Sequence, residues 1–195
     1  MWGNPALILL ALCSYLVGAL PFSLFISRLK GVDLRNVGSG NLGATNVYRA
    51  LGLGFALLVF FLDALKGYIP TLIALNVTDQ SWIHVLVGGL AIMGHSLSPF
   101  VNFRGGKGAA TGLGFLMAIS PDVCAIIIVI AVLGIAIGRY VAPVTLLCSI
   151  LTPFLLWKFA YPMSYVLFVS LICVFIIWRH RPNIIRLIQG KENRI

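Results

Sequence analysis

Long apolar stretches alternate with short polar ones along this chain, and within the apolar stretches there is no period-two pattern. A helix needs about 17–25 apolar residues to cross the roughly 30 Å hydrocarbon core of a bilayer. Unpaired backbone groups are too costly in lipid for anything but helices or closed barrels. The runs predict spans at 3–27, 51–75, 81–100, 108–120, 121–138, 140–157 and 159–178. The expected fold is all-α and membrane-integral, with seven transmembrane helices in one domain over residues 1–195. The fourth span is the short one. Thirteen residues separate Lys107 from Pro121, about 20 Å of helix, enough only if the preceding FRGGKG segment enters the membrane while buried in protein. The opening MWGNPALILL has no positive n-region and its run is too long for a signal-peptide core, so it reads as an uncleaved span.

Composition agrees with this pattern and removes alternatives. At 60% hydrophobic residues and a mean hydropathy of +1.03, a soluble globular domain is excluded. The net charge of +9 does not indicate nucleic acid, because the basic residues sit beside apolar spans rather than on a soluble amphipathic surface. Twelve of the fourteen Lys and Arg lie in or next to four polar stretches: 31–49, 102–111, 138–140 and 178–194. Seven spans bring all four stretches to one face. That face then carries Arg28, Lys30, Arg35, Arg49, Arg104, Lys107, Arg139, Arg179, Arg181, Arg186, Lys191 and Arg194, against Asp33 and Glu192. The other face has Lys158 against Asp79 and Asp122. The bias orients the N-terminus outside and the C-terminus in the cytoplasm. Cys13, Cys124, Cys148 and Cys173 all lie in apolar runs without metal-site spacing, so they are expected to act as small hydrophobes. Asp63 and Lys66, at i and i+3 inside the second span, can neutralise each other, either for function or to hold helices together.

Two polar stretches combine basic side chains with closely spaced glycines. GSGNLG (38–43) matches G-x-G-x-x-G, but a dinucleotide fingerprint requires a preceding strand, and here an apolar helix precedes it. What remains is an anion site. Gly38, Gly40 and Gly43 allow close backbone approach, Ser39, Asn41, Thr45 and Asn46 add hydrogen-bonding groups, and Arg49 offers a fork to phosphate. FRGGKG (103–108) is not a nucleotide P-loop, which would need Gly at 101 and Ser or Thr at 108 where this chain has Val101 and Gly108. Arg104, Gly105, Gly106, Lys107 and Gly108 at a helix start still favour an oxyanion. His95 lies eight residues before Phe103, near the same face, whereas His84 is assigned no role. His180 stands between Arg179 and Arg181, whose charges favour its neutral ring, and Asn183 and Arg186 follow. Arg139 joins them from the GRY turn. The His-x4-Asp pattern of acyl-CoA-dependent glycerolipid acyltransferases is absent, as are a carboxylate cluster for two metals and a G-x-S-x-G elbow.

Four motifs in order, S-G-N-x-G-x-T-N-x-x-R, G-H-x-x-x-x-F-x-x-F-R-G-G-K-G-x-A-T, G-R-Y-V and H-R-x-N-I-x-R-L-x-x-G-x-E, run through essentially the whole chain. In these the sequence resembles the bacterial acyl-phosphate:glycerol-3-phosphate acyltransferase family. The resemblance implies a seven-helix enzyme of the bacterial inner membrane, with its site toward the cytoplasm. Such an enzyme moves a fatty acyl group from acyl phosphate to position 1 of glycerol 3-phosphate, giving lysophosphatidic acid. It implies no cofactor, no metal, no nucleic acid and no required protein partner; the substrates and the lipid bilayer are what the protein meets. Ser39, Asn41, Thr45, Asn46, Arg49, Lys107, His180 and Asn183 match motif residues. The family commonly has Ser after R-Y-V, where this chain has Ala142 and Pro143, with Thr145 the next hydroxyl.

That chemistry suits the residues. Both substrates carry phosphate, and acyl phosphate is a mixed anhydride with a good leaving group, so no covalent nucleophile is required. Lys107, Arg104 and nearby backbone N–H groups are expected to stabilise the carbonyl oxygen and departing phosphate. Arg49, His180 and Asn183 are expected to hold glycerol 3-phosphate, with the proton going to His180 or to a substrate phosphate oxygen. A carrier of phosphorylated metabolites is the competing reading, weakened because no internal repeat is visible and the polar residues crowd one interface.

Overall fold

The computed structural model describes residues 5–195. Met1 to Asn4, which open the first expected span, lie outside the described residues. Among the described residues there are ten α-helices, two short 3-10 turns and no strand, the all-α class that the apolar runs predict. The chain divides into two compact units, Met1–Ile119 and Ser120–Ile195.

In the first unit the helices are α1 (Pro5–Ala19), α2 (Phe22–Leu29), α3 (Ala44–Leu51), α4 (Leu53–Val77), α5 (Ser81–Ser96) and α6 (Ala109–Ile119). The first expected span is thus two helices, not one. Pro21 has no N–H and its ring opposes the preceding helical turn, so the apolar segment Pro5–Leu29 breaks after Ala19. A break at membrane depth exposes carbonyls that lipid cannot satisfy. Two side chains from elsewhere in the unit supply the missing donors. The Ser98 hydroxyl donates to the Ala19 carbonyl at 2.6 Å and Lys66 Nζ donates to the Leu20 carbonyl at 2.5 Å.

Close helix contact in this unit is made through glycines, as expected where no hydrophobic effect drives apolar helices together. A Cβ at Gly18 would strike the Ala91 carbonyl and one at Gly94 the Tyr15 carbonyl, so α1 and α5 touch backbone to backbone. Ser14 and Tyr15 of α1 add hydrogen bonds to the carbonyls of Val87 (2.6 Å) and Leu97 (2.8 Å). Gly67 of α4 faces the Thr111 carbonyl, and Gly114 of α6 faces the Ala64 carbonyl. The polar stretch after α2 is anchored by Leu34 and Leu42, which pack with Leu24, Val47, Val59 and Val101.

The second unit contains α7 (Pro121–Gly138), α8 (Val141–Lys158), α9 (Met163–Arg179) and α10 (Arg181–Ile188). Val129, Val132, Leu133 and Ile137 on α7, and Leu167, Leu171 and Val174 on α9, are exposed. Such apolar surface is far more than a water-soluble protein leaves open, and it suits a lipid-facing side.

Among the described residues five helical segments are long and apolar enough to cross a membrane, or six if α9 and α10, bent by 55°, count as one. The expected fourth span is the eleven-residue α6, short of that length. Two helices, α3 and α10, fall in stretches that hydropathy assigns to loops. Both are eight residues long, and each starts with a recognisable signal: Gly43 before α3 and Pro182 in the first turn of α10.

Replacing Gly114 with Val should force α6 away from the Ala64 carbonyl. Overpacking of this kind costs about 1–3 kcal/mol, so the variant should show a lowered unfolding temperature in detergent compared with wild type.

Candidate active site

The first glycine-rich stretch is organised by one amide. Asn46, in the first turn of α3 and 1% exposed, uses every hydrogen-bonding direction its side chain has. Its Oδ1 accepts from the Ser39 N–H (2.9 Å) and the Ser39 hydroxyl (3.3 Å), while Nδ2 donates to the carbonyls of Leu34 and Val37, both at 3.0 Å. Asn46 is thus a clasp for the loop. Gly38 is explained by the same clasp: its φ is +58°, and a Cβ there would lie 2.5 Å from Asn46 Oδ1 and 3.3 Å from Arg49 Cδ. Gly40 also has positive φ, and Gly43 is the extended residue before α3 with the Asn41 amide alongside it. Thr45 and Arg49, one turn apart on α3, are half-buried, so they share a face that the clasp fixes relative to the loop.

The second stretch is shaped by α5. After the 3-10 turn Pro99–Val101 the chain doubles back, with Asn102 and Phe103 both in the left-handed region. The Phe103 N–H returns to the Ser98 carbonyl at 2.8 Å. The Gly105 N–H then donates to the Ser96 carbonyl (3.2 Å) and the Gly106 N–H to the His95 carbonyl (3.1 Å). A Cβ on Gly105 would collide with the His95 carbonyl, and one on Gly106 with His95 Nε2. These two glycines are thus required by packing on His95, and their N–H groups are directed to protein carbonyls. Gly108, at φ +85°, turns the chain into α6. Arg104 is exposed and Lys107 half-buried on the strap between them. The first N–H groups of α6 have no partner within the helix, so Lys107 stands where backbone donors and a basic side chain coincide.

His95 is itself 8% exposed, wedged between Gly106 and Asp63. Its Nδ1 lies 3.5 Å from Asp63 Oδ1, which also takes Lys66 Nζ at 2.5 Å. It lies under the strap, in contact with both α4 and Gly106. Leu20, Phe22, Asp63, Lys66, His95 and Gly106 are among the residues lining a small pocket. His84, assigned no role, bonds through Nε2 to the Thr78 carbonyl at 2.7 Å.

In the second unit α9 ends at His180, which is 4% exposed. Its Nδ1 lies 2.8 Å from the Ile176 carbonyl. A carbonyl can only accept, so Nδ1 carries the proton and the neutral ring keeps its lone pair on Nε2. Asn183 Nδ2 donates to Glu192 Oε1 at 2.7 Å, and Arg186 Nε donates to Glu192 Oε2 at 2.9 Å. Two expected substrate contacts are thus gathered on one carboxylate. Hydropathy and motif reasoning passed over Glu192, although it closes the last of the four motifs. Arg139, in the left-handed region after α7, donates from Nε to the Ile195 carbonyl at 2.9 Å and so ties down the chain end. Ala142 is buried, and the Thr145 hydroxyl donates to the Val141 carbonyl at 3.0 Å; as a donor it is already committed. Among the described residues no three His, Cys, Asp or Glu side chains gather as a metal-binding group.

The exposed apolar helices, together with two basic, glycine-shaped loops, define an α-helical membrane protein that handles anions. Comparison with known proteins narrows the class. The profile of the glycerol-3-phosphate acyltransferase family matches residues 8–190, and the chain belongs to that family. It is 46% identical to a glycerol-3-phosphate acyltransferase of Aquifex aeolicus over 95% of this chain and 97% of the relative. It is 41% identical to one of Shouchella clausii over 97% and 96%. Its fold matches the solved structure of PlsY (YgiH), an integral membrane glycerol 3-phosphate acyltransferase, in the glycerol 3-phosphate form. The TM-score is 0.95 at 42% identity, covering 97% of this chain and 96% of that one. The lysophosphatidic acid form of PlsY superposes with a TM-score of 0.92 at 40% identity, over 97% and 95%.

Asn46→Ala should strip the loop of its clasp and leave buried carbonyls unsatisfied, at about 1–3 kcal/mol. Faster amide exchange across residues 34–41, with α4 and α5 unchanged, is the expected signature in hydrogen-exchange mass spectrometry.

Proposed function

We infer that this protein transfers a fatty acyl group from acyl phosphate to the position 1 hydroxyl of sn-glycerol 3-phosphate, giving lysophosphatidic acid and inorganic phosphate. One observation carries the reading: solved relatives exist in a glycerol 3-phosphate form and a lysophosphatidic acid form, the two ends of one acylation, on a fold this chain shares over 97% of its length. Residues 1–195 act as one membrane-integral acyltransferase domain, without cofactor or obligatory protein partner.

The reaction needs little covalent help. The glycerol hydroxyl attacks the acyl carbonyl carbon, a C–O bond forms, and the C–O bond to phosphate breaks with phosphate leaving as an anion. Charge moves first onto the carbonyl oxygen and then onto phosphate, so preorganised positive groups lower the barrier. Lys107 and Arg104 on the strap supply that charge, beside the backbone N–H groups at the start of α6. Ser39, Asn41, Thr45 and Arg49 bind phosphate. His180, whose Nδ1–H is given to the Ile176 carbonyl, accepts the hydroxyl proton or passes it to a phosphate oxygen. Asn183 and Arg186 orient glycerol 3-phosphate, and Arg139 contributes positive charge. The fatty chain enters from the bilayer between helices.

The protein spans the cytoplasmic membrane of a bacterium seven times, N-terminus outside, with its site toward the cytoplasm. The twelve-to-one bias in basic residues supports this orientation. At about 17 Å, α6 crosses only with help, and the strap before it, anchored on α5 by its own N–H groups, completes the passage as protein-buried backbone.

Purified protein in detergent, given labelled glycerol 3-phosphate with palmitoyl phosphate or palmitoyl-CoA, should form lysophosphatidic acid from the former alone; product from palmitoyl-CoA sinks the donor assignment. Lys107→Ala should lower turnover by about 10²–10³ while the protein still inserts, the usual cost of one lost oxyanion donor. Near wild-type turnover would remove Lys107 from the mechanism.

A further inference from the structure

The reaction as described leaves the buried cluster of Asp63, Lys66 and His95 without a task. An ionisable side chain at membrane depth is costly to keep and needs compensation. Asp63 and Lys66, each 2% exposed, would satisfy that need as a simple pair. Lys66 is in fact fully engaged without any ligand: it donates to Asp63 and to the Leu20 carbonyl, and its Nζ lies 4.7 Å from the Phe22 ring centre. His95 is the element that a simple pair does not explain. It brings the carboxylate into contact with α5, on the side where the catalytic strap is laid down.

From Asp63 the contacts run in one direction. Asp63 Oδ1 faces His95 Nδ1. The opposite ring nitrogen, Nε2, is the surface on which Gly106 rests, so closely that no Cβ fits between them. The His95 and Ser96 carbonyls take the N–H groups of Gly106 and Gly105. Arg104 and Lys107 are the residues on either side of those two glycines. Rotation of the imidazole therefore moves the floor on which the strap is seated.

We propose that Asp63 is a positioning residue for acyl transfer: it sets the His95 ring, the ring seats Gly105 and Gly106, and the glycines fix where Arg104 and Lys107 are presented. The proposal rests on the reading that Lys107 acts on the acyl phosphate. Displacements of about 1 Å at a reacting centre can cost 10²-fold in rate, so loss of the Asp63 carboxylate registers in turnover rather than in substrate capture.

The test is a double-mutant cycle of Asp63→Asn with Lys107→Ala, with single-turnover acyl transfer from palmitoyl phosphate as readout. Asp63→Asn alone should lower kcat by about 10–100-fold with KM for glycerol 3-phosphate within about twofold. In the Lys107→Ala background the same change should cost less than about threefold, because residues acting as one unit are non-additive. A purely structural pair instead gives a lower unfolding temperature with unchanged kcat per folded molecule, or the same loss in both backgrounds; either result overturns the proposal. Should Asp63→Asn not fold because Lys66 is left as a lone buried charge, Asp63→Asn/Lys66→Gln removes both charges and is read in the same cycle. Full-speed Lys107→Ala would overturn the parent reading itself. A slow Lys107→Ala beside a full-speed Asp63→Asn overturns only the positioning role.

Discussion

Lys66 Nζ reaching the carbonyl of Leu20 is the contact from which much of the first unit follows. Pro21 ends α1 and frees carbonyls that the helix itself cannot satisfy, so donors come from elsewhere in the unit. The Ser98 hydroxyl serves Ala19 and the Lys66 ammonium serves Leu20, and a charged donor buried in this way needs a counter-ion. Asp63, one turn earlier on α4, is that counter-ion, and His95 takes its other side. Helices α1, α4 and α5 are thereby fixed around one hydrogen-bonded knot. The glycines then let α1 and α5, and α4 and α6, close to backbone contact.

The two glycine-rich stretches look alike in sequence and work differently in the structure. In the first, positive φ at Gly38 and Gly40 makes room for the Asn46 amide and the stem of Arg49. In the second, Gly105 and Gly106 make room for a histidine. In both cases most of the glycine content serves to hold a scaffold tightly, and the charged side chains, Arg49 and Lys107, are left at its edge. A basic loop in a membrane protein is ordinarily mobile; here the basic residues are mounted on backbone that is already hydrogen-bonded.

Helix content and helix type were readable from apolar run length, because lipid permits few other solutions. The bounds of α7 match the expected 121–138, and α4 and α8 agree to within two residues. The break at Pro21 was legible in principle, since proline inside a helical run has a fixed consequence; run length alone hid it. Helices α3 and α10 escaped because each is short and half polar, and hydropathy scores them as loop. Among site residues, Lys107 and Arg104 sit at a helix start as the motif suggests. Asn46 and His95 hold internal contacts that their motifs do not announce, because an amide or imidazole beside glycine and arginine suits a ligand and an internal support alike. Glu192 was hidden for the opposite reason: a single acid in a basic stretch looks like incidental balance until it is seen to bind Asn183 and Arg186 together.

The Asn46 clasp has a bearing on how the protein comes together. Its four hydrogen bonds close over 7, 7, 12 and 9 residues, short loops whose closure costs little chain entropy. Those hydrogen bonds therefore need nothing beyond α3, whereas Leu34 and Leu42 complete their packing only with Val59 and Val101. The Asp63–His95 contact, by contrast, joins helices separated by 32 positions and cannot exist until α4 and α5 have both entered the bilayer. Assembly is thus ordered by chain separation: the Asn46 clasp closes within one short stretch of chain, Asp63 and Lys66 pair within α4, and His95 joins them only when α5 arrives.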